Sequence, residues 1–111
     1  MAFEIILAPQ AVASLEKLSV PVQTGVQRAL VLHLTHEPTK VSKRRIKRLR
    51  GLSQPQYRLR VGDIRMFHDV TETQVQVLAI VTKADAQAWL DEQGTSTADE
   101  TENSALGGDQ G

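Results

Sequence analysis

The chain has 111 residues, 41% of them apolar, with thirteen basic residues, thirteen acidic residues and no cysteine. That length suits one domain. The lack of cysteine excludes a disulfide framework and any thiolate metal site, and no apolar run approaches the ~20 residues of a membrane-spanning helix. The zero net charge conceals an asymmetry: Lys40 to Arg65 holds ten basic residues against Asp63 alone, a charge of +9, whereas residues 93–111 hold Asp99, Glu100, Glu102 and Asp109 and no cation, a charge of −4.

The opening Met1-Ala2-Phe3-Glu4-Ile5-Ile6-Leu7 lacks the basic start and long apolar run of a secretory signal, so the chain reads as a soluble cytoplasmic protein. Phe3 to Leu7 is rich in strand formers and predicts a first strand. Pro9 suits the first turn of a helix, and Val12, Leu15 and Leu18 follow at a spacing of three. Ser19 as N-cap, with Pro21 just behind it, starts a second helix whose stripe is Val22, Val26, Leu30, His33 and Leu34. Glu37-Pro38 ends it. So short a link between two helices predicts an antiparallel hairpin.

After the basic run, Gly51-Leu52-Ser53-Gln54-Pro55 reads as a loop. Tyr57 to Arg60 alternates apolar and charged residues as a strand with two unlike faces does. Val61-Gly62-Asp63 and Thr71-Glu72-Thr73 are turns, which makes Tyr57–Arg60, Ile64–Val70 and Gln74–Val81 a three-stranded meander. Lys83–Glu92 predicts a final short helix carrying Trp89 and Leu90, stopped by Gly94. Residues 1–92 therefore read as one α+β domain: an N-terminal strand, an antiparallel helix hairpin packed on an antiparallel β-meander, and a short C-terminal helix. The first strand joins the meander at an edge or in its middle. Residues 93–111 read as a disordered acidic tail, a solubilising end rather than a cis partner of the +9 segment.

The meander carries the most specific chemical feature. Alternation puts Arg58 and Arg60 on one strand face, and Arg65 on the face opposite Ile64, Met66 and His68. Two neighbouring strands then present three guanidinium groups together, a poor core and a good site for phosphate. The plainer alternative is solvated arginines paired with Asp63, Asp69 and Glu72. A second feature is the run Lys43, Arg44, Arg45, Lys47, Arg48 and Arg50, anchored only by Ile46 and Leu49, which reads as a surface for RNA or an acidic protein. His33 and His68 fall among apolar positions and read as core residues, and three scattered histidines suggest no metal site. No cofactor motif is present.

The run Tyr57-Arg58-Leu59-Arg60-Val61-Gly62-Asp63-Ile64-Arg65-Met66-Phe67 resembles the RelE/ParE superfamily of bacterial toxins, and the resemblance extends over roughly residues 2–91. It takes in the early Phe-x-Ile strand, the helix hairpin, Leu49-Arg50-Gly51-Leu52, and the last strand around Val75–Val81. The resemblance implies a RelE-like, microbial RNase-type fold in the toxin of a type II toxin–antitoxin pair. In the RelE branch it implies a ribosome-dependent messenger RNA endoribonuclease needing no metal, with Arg58, Arg60 and Arg65 in the catalytic basic set. It also implies a cognate antitoxin whose acidic segment wraps the basic face, and DNA contact only through that complex. Strong cleavers of the family carry a further arginine after the last strand and a tyrosine near the C-terminal end; here the region offers Lys83 for charge and Trp89 for base stacking. Two other readings stay open: a ParE-type gyrase inhibitor, and a catalytically inactive homologue that binds antitoxin and nucleic acid.

Overall fold

The sheet grows from the segments whose apolar residues alternate. In this computed structural model, which describes residues 2–96, Tyr57–Val61 (β4), Ile64–Val70 (β5) and Gln74–Thr82 (β6) form the expected antiparallel meander. Glu4–Leu7 (β1) takes an edge and runs parallel to β6, with Glu4 opposite Gln74 and Leu7 opposite Val77. The other edge is Ile46–Arg48 (β2), antiparallel to β4 and cut from inside the basic run. The order is β1-β6-β5-β4-β2. Leu52–Gln54 (β3) pairs with Thr95–Ser96 (β7) in a separate two-stranded sheet.

Two expectations are corrected here. The stretch 51–55 is not simply a loop, because Leu52–Gln54 finds a strand partner in Thr95–Ser96, far along the chain, that local turn chemistry does not disclose. For the same reason the folded chain runs past the expected boundary at 92, through Gly94 to Ser96. The expected disorder of the remaining acidic tail concerns residues 97–111, which lie outside the described residues.

Opposite residues on paired strands share a face. One face carries Ile46, Leu59, Met66 and Ile80 and forms the main core with Val75, Val77 and the helices. Pro9–Glu16 (α1) contributes Ala11 and Leu15, and Val20–Leu34 (α2) contributes Val26, Leu30 and Leu34. Each large aliphatic side chain buried there contributes about 1.5–3 kcal/mol. Both helices spend their narrow apolar stripes on the sheet, α1 on β6 and β1, α2 on β1 and β4, rather than mainly on each other as a helix hairpin would. Val22, expected in the stripe, is 41% exposed. Gln23 fixes the link between the helices by donating from Nε2 to the Leu18 carbonyl at 2.9 Å.

Lys83–Gln93 (α3) lies on the opposite face, over Phe67 and Ala79. Its N-cap is Thr82, whose hydroxyl accepts from the Asp85 N–H, and no residue of the helix is fully buried. The helix is held by a few contacts. Trp89 stacks on Phe67 with centroids 5.1 Å apart, and its Nε1 donates to Gln10 Oε1 at 3.4 Å. Gly94 closes the helix, where an added Cβ would stand 2.6 Å from the Leu90 carbonyl oxygen and 3.3 Å from Leu52. Only glycine lets β7 pass so near β3 at that point.

His68 sits on the core face, fully buried, stacked on Tyr57 with centroids 5.4 Å apart. Its Nε2 is 3.1 Å from the Pro38 carbonyl, whereas Nδ1 is buried without a partner among the described residues. Burial pushes its pKa down, outweighing the Pro38 carbonyl and Asp69, which pull it up. His33 is lowered too, by burial and then by Arg45. The unfolded chain, with histidines near their ordinary ~6.5, thus binds more protons than the fold, so stability is present above that pH and is lost as pH falls below it. Urea midpoints should drop between pH 7.5 and 5.5, and His68→Phe should flatten the dependence. An unchanged slope in that variant would place the effect at His33 instead.

Candidate functional site

Strand register assembles the site. Arg60 stands opposite Arg65, Arg58 opposite Phe67, and Lys47 opposite Arg58, so these five side chains share the face away from the main core. The period of two that separates the faces therefore brings the three expected arginines onto one surface. Arg60 and Arg65 are like charges directly across a strand pair, an arrangement that costs stability and so calls for another explanation.

The turn between β4 and β5 organises the cluster. Gly62 has φ +58, a conformation other residues adopt only with strain. Arg65, only 7% exposed, donates from Nη1 to the Gly62 carbonyl at 2.8 Å and to the Ile64 carbonyl at 3.1 Å. The Lys83 N–H donates to the Asp63 carbonyl at 2.8 Å, which ties the start of α3 to the same turn. Two cations are thus held by one hairpin tip.

Between this sheet face and α3 lies a cavity of about 320 Å³ lined by Lys47, Arg58, Arg65 and Lys83 with Leu49, Phe67, Ala86, Gln87 and Leu90. Among the described residues four cations and no carboxylate line it. Arg58 is the strained member: burial, then Arg65, then Arg60, push its pKa down from the usual arginine range. Its Nε is buried and has no hydrogen-bond partner among the described residues. An unmade buried donor of this kind costs about 1–3 kcal/mol. An anion in the cavity would supply the acceptor and offset the repulsion, with bidentate geometry available from both guanidinium groups.

The plainer alternative of internally paired arginines does not describe this face. Among the described residues the ion pair found is Lys40–Glu37, at 3.6 Å on the surface. Asp69 instead accepts from the Gln56 N–H at 2.7 Å and from Gln54 Nε2 at 2.8 Å. It fastens the lead-in to β4.

The basic run does not form one docking surface, because a strand sends successive side chains to opposite faces. Lys47 joins the cavity. Arg48 goes to the other side, with its guanidinium 5.2 Å above the Tyr57 ring and Nη1 donating to the Gln56 carbonyl at 2.7 Å. Arg45 lines a separate cleft with His33, His36, Glu37, Lys40 and Ser42. Arg50 lies further along the groove beside Leu52 and Asp91. Lys43 and Arg44 stand exposed before β2, and Arg60 is exposed at the cluster's edge. Trp89 has one ring face against Phe67, so it supports α3 from outside the cavity lining. Lys47 was legible only as part of the run. Alternation from Arg65 would have placed Phe67 on the same face, the floor of the site. Among the described residues no three His, Asp or Glu side chains gather as a metal site would require.

The α+β fold that carries this basic pocket is a RelE-like fold. Three solved structures share the fold. The RelBE2 toxin–antitoxin complex of Mycobacterium tuberculosis matches at TM-score 0.56 and 21% identity, over 74% of this chain and 99% of that one. The archaeal RelE–RelB complex of Pyrococcus horikoshii matches at 0.58 and 22%, over 75% and 97%. The RelB–RelE complex of Methanococcus jannaschii matches at 0.58 and 15%, over 76% and 96%. No family model and no curated protein matches the chain. Among the described residues no helix is long and apolar enough to cross a membrane.

Proposed function

We propose that the protein is the toxin of a type II toxin–antitoxin pair, acts as an endoribonuclease on messenger RNA held by the ribosome, and is neutralised by an antitoxin with an acidic segment. The observation that carries this is the cavity of Lys47, Arg58, Arg65 and Lys83, with no carboxylate in its lining and no partner for the buried Arg58 donor among the described residues. The toxin–antitoxin complexes that share the fold support the antitoxin as partner.

In the reaction, a ribose 2′-oxygen attacks the adjacent phosphorus. The bond from phosphorus to the 2′-oxygen forms and the bond to the 5′-oxygen breaks, leaving a 2′,3′-cyclic phosphate and a 5′-hydroxyl. Arg58 and Arg65 stabilise the negative charge that grows on the non-bridging oxygens. Lys83, at the start of α3, offsets the charge on the leaving 5′-oxygen, which takes its proton from water, and Lys47 holds the neighbouring backbone. Arginines remain protonated, so they position and stabilise rather than remove the proton. The 2′-proton passes to water, and alignment of the RNA on the ribosome supplies much of the rate.

One observation favours a second reading, a binding module without cleavage: among the described residues no histidine or carboxylate lines the cavity to act as a base. Expression in cells with transcript mapping separates the two. Growth arrest with ribosome-bound transcripts ending in cyclic phosphates supports the nuclease. Intact transcripts support the binding module, and intact transcripts with inhibited supercoiling point to gyrase.

A further inference from the structure

The groove between β2 and α3 does not end at the phosphate-sized cavity. It continues into an outer part of about 610 Å³, which shares Lys47, Leu49, Gln87 and Leu90 with the inner one and adds Arg50, Leu52 and Asp91. This outer part differs in kind from the cation cluster. Leu49, Leu52 and Leu90, all half-buried, give it apolar sides. Leu52 is held there by the pairing of β3 with β7, and the bare backbone of Gly94 leaves room for its side chain. Apolar walls with a few placed polar groups suit a ring better than an ion.

The polar groups come from one turn of α3. Gln87 and Asp91 stand four apart on one helix face, and Gln87 Nε2 donates to Asp91 Oδ1 at 3.0 Å. A carboxylate only accepts, so this bond fixes which way the amide faces. It leaves Gln87 Oε1 and the second oxygen of Asp91 as two neighbouring acceptors. Lys47 and Arg50 line the same groove, yet among the described residues neither forms an ion pair with Asp91. A carboxylate kept off two nearby cations can accept from the N–H groups of a ligand.

An unstacked RNA base is read on its Watson–Crick edge. Guanine presents two adjacent donors there, N1–H and the 2-amino group, beside the O6 acceptor. Adenine and cytosine each put a ring acceptor next to their amino donor, and uracil has an acceptor on both sides of its one N–H. Two acceptors with cations beside them therefore complement guanine alone. We propose that the outer groove is a guanine subsite for RNA. Asp91 and Gln87 accept from N1–H and the 2-amino group, the cations of the wall favour O6, and the leucines cover the ring. The inference rests on reading the inner cavity as a phosphate site. Lys47, common to both parts, then puts the base one ribose from the bound phosphate.

Calorimetry on the full chain at low salt tests this, with 2′-O-methyl uridine pentamers that carry one central guanosine, inosine or adenosine. Guanosine should bind about tenfold tighter than adenosine, and about threefold tighter than inosine, which lacks only the 2-amino group. Asp91→Asn should bring the three within about twofold of one another. It should also tighten the adenosine pentamer, because it removes a negative charge from a cationic groove. Equal binding of the three to the native chain overturns the proposal, and so does a guanosine preference that survives in Asp91→Asn. Guanosine monophosphate should bind more weakly than the pentamer, which brings further phosphates; equal affinities would overturn RNA as the ligand. Arg58→Met should weaken all three pentamers alike. A guanosine preference with no loss in Arg58→Met would overturn the phosphate reading and keep the subsite, whereas that loss without any preference would do the reverse. Failure of every pentamer to bind would overturn both.

Discussion

Arg58→Met should lower transcript cleavage on programmed ribosomes by about 10²–10³-fold, the usual effect of losing one oriented donor to a developing oxyanion. The same change should raise stability by about 1 kcal/mol, because it removes a buried donor that has no partner among the described residues. It also relieves repulsion from Arg65 and Arg60, and methionine keeps the apolar stem. Opposite signs for activity and stability are the mark of a residue held at a cost for function. Arg65 is a poorer probe, because its bonds to the Gly62 and Ile64 carbonyls also fasten the hairpin. Cleavage retained in Arg58→Met together with a loss of stability would make Arg58 a structural residue.

Phe67→Ala should cost about 3–5 kcal/mol, a large share of the ~5–15 kcal/mol that holds a domain of this size. Phe67 is fully buried and is the platform on which Trp89 rests. Because α3 has no fully buried residue of its own, losing that platform should free the helix before the sheet melts. Trp89, the chain's one tryptophan, should report this as red-shifted emission in the native baseline. Leu59→Ala, on the opposite face, is a matched control: it should cost about 2–5 kcal/mol and leave Trp89 emission unchanged. A red shift in both variants, or in neither, would contradict the division of the sheet into a core face and a site face.

That division was legible in the sequence wherever alternation was clean. Tyr57-Arg58-Leu59-Arg60 and Ile64-Arg65-Met66-Phe67 each repeat at a period of two, and the turn at Gly62 fixes their register, so Arg58, Arg60 and Arg65 fall together. The edge strand β2 was hidden because its signal is one buried residue, Ile46, within a run of charge. Read as a linear run, Lys43 to Arg50 looks like one surface; paired as a strand, it sends Lys47 into the cavity and Arg48 onto Tyr57. The β3–β7 pair and the side on which α3 packs depend on contacts between residues about 20–40 apart. Local pattern does not encode these. His68 shows the complementary case, since Ile64, Met66 and His68 share a strand face and its burial follows from that spacing.

One phosphate should bind among Lys47, Arg58, Arg65 and Lys83. Nitrogen–proton correlation spectra of the arginine Nε–H groups read it most directly, with a 2′-O-methyl RNA dinucleotide titrated into the full chain. The Arg58 Nε–H should show a saturable shift, with smaller changes at Arg65 and at the Lys47 and Lys83 amides. Saturation confined to Arg44, Arg45 and Arg48, with Arg58 unmoved, would contradict it.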